Sequence, residues 1–148
     1  YMYLSFYSHS YGEYQAYYGI RIQRRNKSTF AVLSEIYIAT IGYGLPELVG
    51  GSGVDLYGGN SQDTMDKIYE RNATTLAIIR DNTSNPFTSK MAMYGIDTFD
   101  NTIYVGANDM KVTPYKVYMA EVNKSTFTRI KQVHLPNMED LHGLTILK

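Results

Sequence analysis

Along most of this chain apolar and polar residues alternate with the period of two that a half-buried β-strand requires, and polar, turn-forming segments interrupt the alternation. Residues 3–7 (Tyr-Leu-Ser-Phe-Tyr) and 16–22 read as the two arms of a hairpin. After the polar stretch 23–28 a third strand is expected over 30–39, with Val32, Ile36 and Ile38 on one face and Leu33, Glu35 and Tyr37 on the other. Residues 42–59 are glycine-rich and contain Pro46, which predicts a long loop holding one short strand near 54–57. One short helix is expected to follow: Asn60 or Ser61 can cap it, Asp63 and Asp66 occupy its first turns, and Met65, Ile68 and Tyr69 fall at helical spacing before an end near Asn72. Strands at 75–80 and 90–96 are read as a second hairpin across the turn-rich 82–86. Further strands are expected at 102–107, 115–122, 128–135 and 144–147, with a tight turn at Asp100-Asn101.

The pattern also repeats. Asn26-Lys27-Ser28-Thr29-Phe30 returns as Asn123-Lys124-Ser125-Thr126-Phe127, 97 residues later, and each copy joins a strand to a following strand. Asn and Ser suit the bend, Thr and Phe open the next strand, and Lys faces water. A hairpin of similar make lies between the copies, so the repeating unit is about half that separation, in the range of stacked or radial repeats.

Composition narrows the classes. The 148 residues suffice for one domain with a real core. Formal net charge is zero, so nothing global draws the chain to nucleic acid or an anionic membrane; the basic cluster Arg21, Arg24, Arg25 and Lys27 is split between the faces of one strand. No apolar run reaches a membrane-spanning length, and the start of the chain lacks the order of a signal peptide. Cysteine is absent, which removes disulfides and thiolate chemistry; tryptophan is absent too, while tyrosine numbers 15. His9, His134 and His142 lack zinc-site spacing, and Asp97-Thr98-Phe99-Asp100-Asn101 lacks the glycine and closing Glu of a helical calcium loop, so neither metal nor cofactor is expected.

Residues 3–7, then 17–22, then a turn into Thr29-Phe30, together with 103–107, 115–122 and Thr126-Phe127, resemble the second, third and fourth strands of blades in sialidase-like and five-bladed glycosidase β-propellers. The closing Thr-aromatic pair of the sialidase Asp-box is present as Thr29-Phe30 and Thr126-Phe127; its Asp and Gly are not. The resemblance implies a propeller piece, completed by a larger parent chain or a homo-oligomer, with a glycan substrate. Under it, rim carboxylates Asp97, Asp109 and Asp140 are the candidate catalytic acids, since glycoside hydrolysis needs two facing carboxyl groups.

Taken alone, the residues favour an all-β, mainly antiparallel single domain over 1–148 with one short helix, sandwich or jelly-roll-like, the propeller piece being the alternative. Tyr-rich strands and long Gly/Asn/Ser/Thr loops point to a non-enzymatic domain that binds a glycan or cell-surface receptor, as at a viral or phage fibre tip or in a secreted adhesin. Its expected contacts are Tyr11, Tyr14, Tyr17, Tyr43 and Tyr57, with Arg21 and Asn60 as polar partners. An assembly protein whose tyrosines pack on identical neighbours is the third reading.

Overall fold

A computed structural model of the chain describes residues 1–11, 16–40, 48–50, 55–62, 65–81, 86–88, 91–109 and 111–147. These residues form an all-β, antiparallel structure of three sheets, each made of strands consecutive in sequence. The first sheet holds β1 (Met2–Tyr11), β2 (Ala16–Arg25) and β3 (Val32–Thr40). The second holds β4 (Leu48–Gly50), β5 (Asp55–Gln62), β6 (Met65–Asn72) and β7 (Ile78–Asp81). The third holds β8 (Ala92–Phe99), β9 (Thr102–Asp109), β10 (Lys116–Asn123) and β11 (Arg129–Leu135). The expected β1–β2 hairpin, the third strand and the strands expected at 102–107, 115–122 and 128–135 form.

The expected helix does not. Residues 65–72 are β6, paired with β5 on one side and β7 on the other. Met65, Ile68 and Tyr69 satisfy helical spacing by coincidence; what decides is that Ile68 and Glu70, two apart and both buried, share a strand face. Pairing with β5 along the whole strand, and with β7 at Tyr69 to Arg71, supplies backbone partners in place of a helix's. Strands β7 and β8 also differ from expectation: they are not a hairpin but belong to different sheets. The C-terminal stretch 144–147 makes no ladder among the described residues, yet it is tied to the third sheet, the Ile146 amide donating to Asp97 Oδ2 at 2.7 Å.

The sheets share one register. Tyr3 pairs with Arg24 and Arg24 with Ser34; Tyr57 with Glu70 and Glu70 with Arg80; Tyr104 with Glu121 and Glu121 with Lys131. The neighbouring rows are Ser5–Ile22–Ile36, Gly59–Ile68 and Gly106–Met119–Val133. Each sheet even shifts register at the same place, between Arg24 and Arg25, Glu70 and Arg71, and Glu121 and Val122. A β-bulge there increases the local twist just before the following turn. Three modules, in which Asn26, Asn72 and Asn123 are equivalent, therefore compose the described chain.

Sheet packs on sheet to make the core. Ile68 of the second sheet is fully buried among Ile96, Ile103, Val105, Ala120 and Val122 of the third, with Phe127 from the turn after β10. A smaller cluster joins Ile22, Tyr3 and Ile36 of the first sheet to Leu76 and Ala73 of the turn after β6. The small residues Gly95 and Gly106 leave room on the third sheet for residues 141–144. A Cβ on Gly106 would lie 2.2 Å from Leu141 Cδ2, and one on Gly95 would lie 2.6 Å from the Leu144 backbone nitrogen.

Candidate functional site

The two ends of the sheets are built differently. At one end β2 turns into β3, β6 into β7 and β10 into β11, each through six residues that open on asparagine: Asn-Lys-Ser-Thr-Phe-Ala, Asn-Ala-Thr-Thr-Leu-Ala and Asn-Lys-Ser-Thr-Phe-Thr. The Asn side chain makes the bend: Asn26 Oδ1 accepts from the amides of Ser28 at 2.8 Å and Thr29 at 3.0 Å. Asn72 holds Thr74 and Thr75 in the same way, both at 2.9 Å, and Asn123 holds Ser125 and Thr126, at 2.9 and 3.0 Å. The backbone closes the turn identically, with Phe30 N donating to Asn26 O, Leu76 N to Asn72 O and Phe127 N to Asn123 O. The fifth residue is thereby forced into the left-handed region, φ 58° for Phe30, 63° for Leu76 and 55° for Phe127. Bulky residues rarely adopt that conformation, so the turn imposes it.

That fifth residue projects onto the preceding sheet. Leu76 is fully buried against the first sheet and Phe127 is 7% exposed against the second, whereas Phe30 is 59% exposed. Hydrogen bonds follow the same direction. Tyr3 Oη donates to Ala73 O at 3.0 Å and Ser34 Oγ to Thr74 O at 3.1 Å. One module later Arg80 donates to Lys124 O and Ser125 O, forms an ion pair with Glu70, and lies over the Phe127 ring at 4.1 Å. Within the modules, Arg25 Nη1 donates to Phe30 O at 2.8 Å and Arg71 Nη1 to Leu76 O at 3.1 Å. Burial pulls the Arg71 guanidinium below its usual range; a carbonyl partner and the Tyr69 ring at 5.5 Å accommodate the charge.

The opposite end carries the other connections. There β1 ends at Tyr11 facing Ala16, β5 at Gln62 facing Met65, and β9 at Asp109 facing Lys116. The inter-sheet bonds at the asparagine turns align the sheets end to end, so these tips share one rim. Of the expected contact residues, Tyr11 and Tyr17 lie at the β1–β2 tip and Asn60 lies near the β5–β6 tip, opposite Lys67. Tyr57 lies further from the rim, between Val49 and Glu70. Tyr14 and Tyr43 fall outside the described residues.

Arg21 is placed mid-strand in a polar network on one face of the first sheet, partly buried at Gln23. Its Nη1 donates to Glu35 Oε1 at 2.5 Å and its guanidinium stands 5.5 Å from the Tyr37 ring centre; Gln23 donates to the other Glu35 oxygen, and Arg25 Nε donates to Gln23 Oε1 at 2.8 Å. The hydrogen bond from Gln23 holds the Glu35 carboxyl below the ordinary glutamate range, helped by Arg21 and opposed by desolvation. A depressed carboxylate contributes stability above its unfolded value of about 4.3 and loses that contribution as pH falls through the folded value. Glu35→Gln is thus expected to be less stable than the parent at neutral pH, with the gap closing below about pH 4. Thermal melts of both proteins across that range check it, and a gap constant with pH would refute the assignment.

Each candidate acid has its own hydrogen-bond partners. Asp109, at the rim, accepts from the Lys111 amide at 3.1 Å. Asp97 is buried toward the far end of β8 and accepts from Thr98 N and Ile146 N, both at 2.7 Å. Asp140 accepts from the Asn108 amide and from Leu141 N, with His142 Nε2 at 3.3 Å. Asp97 and Asp140 therefore fasten the C-terminal stretch to the third sheet, a structural use of carboxylates. Among the described residues no three His, Asp or Glu side chains gather as a metal site, and no helix is long and apolar enough to cross a membrane.

The middle turn, Asn72 to Ala77, was hidden to a search for the exact pentapeptide. The looser pattern of Asn, any residue, Ser or Thr, Thr, then Leu or Phe finds all three turns, and it marks residues 65–72 as a strand. Comparison with known proteins returns no matching family model and no matching curated protein.

Proposed function

We propose that this protein is a recognition domain that binds a glycan or cell-surface receptor at the rim holding the β1–β2, β5–β6 and β9–β10 tips. The observation carrying this reading is the inequality of the two ends. The second and third asparagine turns are committed to sheet-to-sheet contacts, while the opposite rim carries the variable-length connections with Tyr11, Tyr17 and Asn60 at or near the tips. Loops on a rigid scaffold are where recognition residues tend to lie, and tyrosine gives large contact area with little entropy to lose. Placement outside the cell or on a virion surface goes with this function. Asp97 and Asp140 are occupied by backbone amides, which disfavours the rival reading as a glycosidase piece.

A glycan array probed with the labelled protein tests the reading. Binding is expected, with a loss of at least tenfold in Tyr11→Ala combined with Tyr17→Ala, and no change in Tyr37→Ala, which lies on the polar face of β3. An array without signal, or signal untouched by the double substitution, would overturn it.

A further inference from the structure

Among the described residues, the direction of the sheet-to-sheet contacts leaves one donor and one acceptor unfilled. The second and third turns insert their fifth residues into the sheet before them, and the first and second sheets grip the turn after them through one row of side chains. In the first module that row uses Tyr3 and Ser34, and in the second Arg80, always onto the carbonyls of the second and third turn residues. The third module has the same row in the same register, Tyr104–Glu121–Lys131, and Glu121 with Lys131 repeats the Glu70 and Arg80 pair. Beside it lie Met119 and Val133, equivalent to Ile22 and Ile36, which receive Leu76. Ile22 is 2% exposed beneath that plug, while Met119 and Val133 are only half-buried and Lys131 is exposed.

The matching plug is at the other extreme of the array. Phe30 is exposed yet already holds the φ of 58° that its buried equivalents hold, and Arg25 and Asn26 lock the turn around it. It is preorganised for a groove of the kind that takes Leu76 and Phe127. Residues 141–146, bound across Gly95 and Gly106, are placed on the third sheet as a following module's first strand would be.

We infer that the exposed face of β10 and β11 is a docking surface for the Asn26–Ala31 turn of a second copy of this chain. Phe30 enters between Met119 and Val133, and Tyr104 and Lys131 donate to the carbonyls of Lys27 and Ser28. The contact is heterologous, joining different faces of the two copies, so it produces a closed ring or an open chain of whole subunits.

The cysteine-free sequence makes the test direct. Ser28→Cys and Lys131→Cys proteins, prepared separately and mixed, are expected to cross-link with a short bismaleimide into a species of twice the 16.8 kDa chain mass. Ser28→Cys mixed with Lys111→Cys, at the opposite end, is expected not to. Native mass measurement of the unmodified chain is expected to give more than one copy, reduced to one by Phe30→Asp, whose side chain is exposed in the single chain and whose folding circular dichroism would verify. A single-chain mass at tens of micromolar with no Ser28–Lys131 cross-link would overturn the inference, as would an assembly that Phe30→Asp leaves intact. Either result bears on the docking face alone, because glycan binding is read at the other end of the sheets.

Discussion

Leu76→Ala is expected to destabilise the protein by about 2–5 kcal/mol, the range for truncating a buried leucine whose surroundings relax only in part. For a chain of this size that is on the order of 10 °C in melting temperature. The expectation rests on an unusual placement: a residue of a surface turn, at φ 63°, is fully buried because it belongs to the packing of the neighbouring sheet. Its loss removes contacts with Ile22, Ile36 and Tyr3 and leaves a void between sheets. The equivalent Phe30→Ala, at 59% exposure, is expected to leave the stability of the single chain within about 0.5 kcal/mol. Urea unfolding of the two variants compares them, and equal losses would show that the turn residues act only within their own turns.

Gly95→Ala should be nearly as damaging, at about 1–3 kcal/mol, by overpacking. The added methyl would lie 2.6 Å from both Cβ and backbone N of Leu144 and 2.9 Å from the Gly143 carbonyl carbon. No rotamer change relieves a clash with backbone, so residues 141–146 must leave the sheet. The amide bond to Asp97 and the seat of Leu141 on Gly106 are then lost with it. Hydrogen exchange at Leu141 and Ile146 is expected to accelerate markedly, with β9 and β10 unchanged. Gly106→Ala meets a leucine side chain instead of backbone, at 2.2 Å from its Cδ2, and is expected to be milder. Unaltered exchange in Gly95→Ala would mean that the C-terminal stretch is not seated there.

Strand content was readable from alternation because strands bury one face against a neighbouring sheet, as Ile103, Val105 and Ala107 of β9 do with Ile68 of the second sheet. Residues 65–72 misled because a strand with a buried Glu70 and Arg71 lacks a clean apolar period; both charges are buried by the module that follows or by their own turn, which local spacing cannot reveal. The repeat was visible in its two identical copies, and the middle copy escaped because Ala73, Thr74 and Leu76 differ in side chain while preserving every feature the turn needs. Those needs are an Asn carbonyl, a Thr hydroxyl and a bulky fifth residue, a pattern of chemistry and not of identity. That Asp97 and Asp140 hold the C-terminal stretch was not legible in the sequence, because only the fold brings that stretch back across the third sheet to them. Among the tyrosines, sequence could not separate Tyr3, a donor to the next turn, from Tyr11 at the rim, since both stand in the same strand.

The central claim is that the fifth turn residue of one module is a structural element of the module before it. A double-mutant cycle on Ile22→Ala and Leu76→Ala measures this by urea unfolding of the parent, the two single variants and the double. Direct packing across the sheets predicts a coupling between about 0.5 and 3 kcal/mol, the double variant losing less than the two single losses combined. Losses additive within about 0.3 kcal/mol would contradict it.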